Sequence, residues 1–268
     1  MDDEEIATFA RLLRETYRTR VPIPPLTDTV PHASVADAYA VQLAQVEAWR
    51  AEGRTIAGFK VGLTSKAMQR QLGVDRPDFG HIFGDTVLDA SAPIDLDAFI
   101  SPRVEPEISF VLREDLEGPG LTMMDLLRAV DYAIASIEII DSRIADWRIG
   151  LADTIADNAS FGAVLVGSRP VRIFDVDLGL VGCVVTRNGD IVSTGAGAAV
   201  LGDPLASALF LANTLGALGR PLPAGSLVMA GALSAAVPVA PGDTVTARFS
   251  SLGDVTARFA GAPTEGNA

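Results

Sequence analysis

A single cysteine, Cys183, stands in 268 residues, so no internal disulfide framework and no CxxC redox or zinc motif can be built. Histidine is nearly as scarce: His32 and His81 are the only two, which leaves little room for a His-rich zinc centre. Basic side chains are outnumbered, 21 against 34 acidic ones, and the formal charge of -13 repels a phosphate backbone, so nucleic acid is not an expected partner. No uninterrupted apolar run approaches the ~20 residues that cross a bilayer, so no membrane is expected either. The opening Met1-Asp2-Asp3-Glu4-Glu5 carries the wrong charge for a secretory signal. What is present, 49% hydrophobic and 21% charged residues, suits a globular chain with a sizeable core, expected in a reducing cytoplasm.

The pattern changes along the chain. Ile6, Phe9, Leu13 and Tyr17 recur at helical spacing, with acids before them and Arg14, Arg18 and Arg20 late, as a helix dipole favours. Prolines at 22, 24, 25 and 31 predict an irregular connection, after which Ser34 can cap a helix to Gly53 with Val35, Tyr39, Leu43, Val46 and Trp49 on its apolar face. An extended segment over Ile56 to Val61 and a short helix from Ser65 to Leu72 follow. From about Phe99 the chain turns to short Val/Ile/Phe runs punctuated by Gly, Pro, Asn and Asp, predicting strands near 104–112, 132–140, 161–166, 181–187, 227–230, 245–249 and 255–259. Asn188-Gly189 signals a type I′ hairpin. One helix is expected after Thr122 and another from Asp203-Pro204 to near Gly219.

The most informative run is Val104-Glu105-Pro106-Glu107-Ile108-Ser109-Phe110-Val111. On a strand, two glutamates two residues apart point to one face. A third, Glu138, intrudes into the apolar run Ala133 to Ile140, where a lone ionised carboxylate is costly to bury. Converging, the three would raise one another's pKa unless a cation compensated them, and all-oxygen ligation favours Mg²⁺ or Mn²⁺ over zinc. The alternative from spacing alone is a solvated strand face for Glu105 and Glu107, on an edge strand that Pro106 permits, with Glu138 paired to an arginine such as Arg143.

Lys60 lies in Gly58-Phe59-Lys60-Val61-Gly62-Leu63-Thr64-Ser65, where glycines let a backbone approach a ligand and a lysine could hold an anion or steady an enolate; an exposed strand-end lysine is the other reading. The order is not that of a Walker loop. Asp75-Arg76-Pro77-Asp78-Phe79-Gly80 reads as a turn, with Asp78 making local backbone bonds, and Asp157-Asn158-Ala159-Ser160 as a plain loop. Ser160 has no nucleophile elbow and no histidine in a hydrolase pattern, which disfavours serine-esterase chemistry. His81 reads as a structural residue and Cys183 as core.

These segments, with Asp141-Ser142-Arg143, Gly195-Ala196-Gly197, Leu201-Gly202-Asp203-Pro204 and Ala230-Gly231-Ala232-Leu233, resemble the 2-keto-4-pentenoate hydratase family of the fumarylacetoacetate hydrolase superfamily. The resemblance spans about Ile56 to Phe259. It implies an α+β fold: a mixed β-roll core over 76–262 that carries the metal, a smaller, mainly helical N-terminal region over 1–75, and a flexible tail at 263–268. It also implies that Glu105, Glu107 and Glu138 ligate Mg²⁺ or Mn²⁺, that Lys60, Asp78 and Ser160 line the substrate pocket, and that the chain forms a homo-oligomer. The expected activity is a carbon-oxygen lyase that hydrates 2-hydroxypenta-2,4-dienoate, or a close homologue, in aromatic or steroid catabolism. The sister activity, 4-oxalocrotonate decarboxylase, is the alternative; Asp78 resembles the hydratase branch. A non-catalytic subunit associated with a pathway decarboxylase or aldolase is the reading from another class.

Overall fold

The computed structural model describes residues 1–66, 69–70, 74 and 76–261. Two helices open the chain, Asp3–Thr19 (α1) and Val35–Ala51 (α3), and both begin in capping boxes, Asp2 with Glu5 and Ser34 with Asp37. Between them the proline-rich connection contains one short helical turn, Leu26–Thr29 (α2). The buried face of α3 is rotated from the one expected: it is Ala38, Val41, Gln42, Gln45, Val46 and Trp49. Two glutamines can sit there because their amides are satisfied. Gln42 Nε2 donates to the carbonyls of Phe79 (3.0 Å) and Ile155 (2.8 Å), and Gln45 Nε2 to that of Ala156 (2.7 Å).

The strands form two sheets. One contains β1 (Ile56–Gly62), β2 (Asp78–Phe83), β3 (Val87–Leu88), β4 (Arg103–Leu112), β5 (Val130–Ile140), β6 (Phe161–Val166), β9 (Leu227–Ala232) and β10 (Val237–Pro238), in the order β2-β1-β9-β4-β5-β6-β3 with β10 on β4. The other contains β7 (Gly182–Arg187), β8 (Asp190–Ala196), β11 (Thr244–Phe249) and β12 (Gly253–Arg258), in the order β12-β11-β7-β8. The two sheets share one core, to which Ile108, Phe110 and Ile137 of the larger sheet and Val245, Ala247 and Val255 of the smaller belong. The fold is α+β. Because β1 sits between β2 and β9, the larger sheet draws on both sides of the boundary expected near residue 75.

Several expectations hold locally. Asn188 and Gly189 both have positive φ (54° and 94°) in the hairpin joining β7 to β8, and Thr246 pairs with Thr256 in the hairpin of β11 and β12. Helix Met123–Ala129 (α4) follows Thr122 and runs directly into β5, and Pro204–Ala217 (α6) is capped by Asp203. Leu151–Ala156 (α5) was not foreseen. Half of the helix expected over 65–72 lies outside the described residues, and the tail at 263–268 lies wholly outside them.

Two expectations fail. Asp78 does not sit in a turn; it opens β2 as a buried strand residue. Nor does Pro106 mark an edge strand: β4 lies inside the sheet between β9 and β5. The proline is tolerated where β4 changes neighbour, with β10 pairing at 103–104 and β9 from Glu107 onward, while its carbonyl accepts from Leu233 N–H at 2.9 Å. The stretch Gly197–Ala217 has the length and hydropathy of a membrane span, but left-handed residues Leu201 and Gly202 break it, and Leu211 and Leu215 of α6 are packed in the core.

Candidate active site

Register brings the three glutamates together. Glu105 of β4 is the direct cross-strand partner of Glu138 of β5, and Glu107 is two residues on, so all three share one face. One carboxylate oxygen from each lies within 4.8 Å of the others. Glu107 and Glu138 are fully buried and Glu105 is half-buried, which removes the solvated-face reading. Glu107 Oε2 accepts the Gly231 N–H at 2.9 Å, whereas both oxygens of Glu138 lack a hydrogen-bond partner among the described residues.

Lys60 reaches the same place from β1. In a flat sheet β1 and β5 would stand three strand spacings apart, about 14 Å. Curling of the sheet instead brings Lys60 Nζ to 3.2 Å from Glu138 Oε1, an ion pair outside hydrogen-bonding geometry. The ammonium donates to the Ala159 carbonyl at 2.9 Å and is buried, not exposed at a strand end. Arg143, the partner expected for Glu138, is engaged elsewhere, 2.5 Å from Asp157.

Asp78 is brought in by the pairing of β2 with β1, where it lies opposite Gly62. A Cβ on Gly62 would fall 2.2 Å from Asp78 Oδ1 and 3.3 Å from Lys60 Nζ, so this glycine makes room for a carboxyl and an ammonium and not, as expected, for a ligand. Ser160 ends the turn that carries the Ala159 carbonyl. Its hydroxyl lies 3.2 Å from that of Thr154, and the segment expected as a plain loop is a buried left-handed turn. His81 and Cys183 are buried away from this cluster as structural residues, His81 beside Phe59 at 5.0 Å between ring centres.

Four carboxyls thus surround one ammonium, and full ionisation would leave three uncompensated negative charges. Burial, then the neighbouring Glu138, pushes Glu105 up to about 7. Burial likewise raises Glu107, Glu138 and Asp78, with Lys60 opposing it in each case. Burial disfavours the charged form of Lys60, but Glu138, Asp78 and Glu107 outweigh it, so the amine stays protonated above its ordinary range. This donor set fits a hard divalent cation: three carboxylate oxygens on one face, no thiolate or imidazole among them, and two Glu138 oxygens without a hydrogen-bond partner among the described residues.

No protein-family profile matches the chain. In fold it is a fumarylacetoacetate hydrolase-like protein: a member of that family from Yersinia pestis CO92 superposes with a TM-score of 0.58 at 15% identity, over 75% of this chain and 91% of the other. The solved 4-oxalocrotonate decarboxylase of Pseudomonas putida G7, complexed with magnesium and adipate, superposes with a TM-score of 0.93 at 39% identity, over 97% and 98% of the two chains. The chain is 44% identical over 259 residues to a 2-keto-4-pentenoate hydratase of Paraburkholderia xenovorans (strain LB400), covering 97% of this chain and 96% of that one. It is 46% identical over 251 residues to the TodF product hydratase of Pseudomonas putida (strain F1), covering 94% of each. The chain belongs to the 2-keto-4-pentenoate hydratase family.

Proposed function

We propose that this chain is a carbon-oxygen lyase that adds water to 2-hydroxypenta-2,4-dienoate, or a close homologue, giving the 4-hydroxy-2-oxo acid. One observation carries the reading: three glutamates on one face, within 4.8 Å of one another, beside a buried lysine. Glu105, Glu107 and Glu138 would hold Mg²⁺ or Mn²⁺. When bound, such a cation supplies the positive charge that neutralises the substrate's carboxylate and stabilises the enolate form of its C2 oxygen.

The remaining work falls to this chain's own side chains. Lys60, held protonated by its carboxylate neighbours, offers a fixed ammonium to charge developing on the C2 oxygen. Asp78 holds or takes a proton beside it, as burial raises its pKa. In balance, C5 gains a proton as the enol proton leaves, giving a conjugated ketone; hydroxide from water then joins C4 and a proton joins C3. Ser160 orients substrate or water. Assembly into a homo-oligomer belongs to the same reading.

The test is ultraviolet monitoring of a freshly generated 2-hydroxydienoate with and without Mg²⁺ or Mn²⁺. Loss of diene absorbance with a hydroxy-oxo acid product supports hydration. Carbon dioxide release from oxalocrotonate, with no hydration, would replace it by decarboxylation, and turnover of neither would leave a non-catalytic subunit.

A further inference from the structure

We propose that the buried pair Arg143–Asp157 is a positioning device for Lys60, acting through the turn 158–160. The inference rests on the reading of Lys60 as the cation of the active site. Among the described residues neither member of the pair has a hydrogen bond or ion pair to the glutamate cluster, and the pair is neutral overall, so the influence argued for it runs through backbone geometry.

Asp157 is fully buried and Arg143 nearly so. Asp157 Oδ1 lies 2.5 Å from Arg143 Nε, its Oδ2 accepts the Arg143 backbone N–H at 3.0 Å, and its carbonyl accepts from the guanidinium at 2.9 Å. Tyr17 of α1 covers the guanidinium, its ring centre 4.4 Å away. The residue is therefore clamped on both sides just before an unusual stretch. Asn158, Ala159 and Ser160 have φ of 52°, 52° and 54°, and none is glycine. Each Cβ makes that conformation unfavourable, so three in succession persist only where the surroundings over-determine them.

The surroundings do so at three points. Asp157 anchors the start. The Asn158 side chain brackets His81 of β2, accepting its N–H at 2.7 Å and donating to its carbonyl at 2.9 Å. The Ser160 carbonyl accepts the Asp141 N–H at 2.9 Å. β2 keeps glycine at position 80 to let the turn lie on it: a Cβ there would fall 2.4 Å from the Asn158 carbonyl oxygen. What the turn presents is the Ala159 carbonyl, which accepts from Lys60 Nζ at 2.9 Å while Glu138 Oε1 lies 3.2 Å from the same ammonium. Released to right-handed backbone, the turn would withdraw that carbonyl, and the ammonium would lose the hydrogen bond that fixes where it stands beside Glu138.

Full-length Asp157→Asn and Asp157→Asn/Ala159→Gly test this. Asp157→Asn is expected to lower kcat about 30-fold while the dissociation constant for Mn²⁺ alone, read by electron paramagnetic resonance, stays within about threefold of wild type. Adding Ala159→Gly, which frees the left-handed conformation of its steric cost, is expected to restore kcat about fivefold. A crystal structure of Asp157→Asn should show Lys60 Nζ out of hydrogen-bond reach of the residue 159 carbonyl. A lower Tm with kcat unchanged, no rescue by glycine, or an intact left-handed turn in that crystal structure would overturn the proposal. If Asp157→Asn does not fold, Arg143→Lys, which keeps the buried charge, is held to the same kcat, Mn²⁺ and crystallographic criteria. Should the wild type hydrate no dienoate, the hydration reading fails, while the crystal structure still decides the positioning.

Discussion

Replacing His81 by leucine should flatten the acid side of the stability profile. The imidazole is fully buried against Phe59 and Phe79, and neither ring nitrogen has a hydrogen-bond partner among the described residues. Burial, reinforced by Arg220, pushes its pKa down from 6.5 to about 3. The folded state therefore resists a proton that the unfolded chain accepts. The stability tied to the neutral ring is complete above 6.5 and is lost as pH falls from there towards about 3. At about 1.4 kcal/mol per pH unit, the loss is roughly 2 kcal/mol near pH 5 and approaches roughly 5 kcal/mol near pH 3. Against a total of about 5–15 kcal/mol for a folded protein, that is a large share. The site carboxyls act in the opposite sense. A folded pKa raised to about 7, as at Glu105, gives stability on acidification that is lost as pH rises through that value. Urea unfolding of wild type and His81→Leu at matched pH values cancels those contributions. Leucine fills a similar volume and forfeits no side-chain hydrogen bond, so the two curves should meet near neutrality and diverge by about 2 kcal/mol near pH 5. Parallel curves over that range would refute the assignment of a buried, neutral ring.

Glu107→Gln removes a carboxylate from the cluster and should weaken Mg²⁺ or Mn²⁺ binding and turnover together, measured by calorimetry and diene absorbance; undiminished metal-dependent turnover would take Glu107 out of the ligand set. Asp78→Asn should keep the metal affinity and lose about 10²–10⁴ in kcat, checked by the same pair of measurements. Gly62→Ala places a methyl 2.2 Å from Asp78 Oδ1 and should lower kcat about tenfold or more with little change in Tm, since the backbone there is ordinary strand. Adding Mg²⁺ at about 100 times its dissociation constant should stabilise wild type by about 2.7 kcal/mol, and EDTA should reverse this, whereas Glu107→Gln should respond far less.

Much of the site was legible in the sequence because its spacing is local. Glu105 and Glu107 share a face through the two-residue period of a strand, and Glu138 was conspicuous as an acid in an apolar run. Lys60 and Asp78 were harder to place: their setting depends on how the sheet curls and on the pairing of β2, which no local period encodes. Gln42 and Gln45 misled the reading of α3, since a hydrophobic pattern has no place for glutamines whose amides are satisfied by distant carbonyls. The turn at 158–160 escaped altogether. Its residues are ordinary, and only the long-range tethers from Asp157, His81 and Asp141 hold them left-handed.

The 3.2 Å approach of Lys60 to Glu138 across three strand spacings makes curvature itself a dimension of the candidate site. A change that relaxes the irregularity between Glu107 and Ser109, where β4 meets β9, would lengthen the reach demanded of the ammonium without altering any group that handles substrate. The bend of the scaffold then matters to the site as much as the side chains it carries.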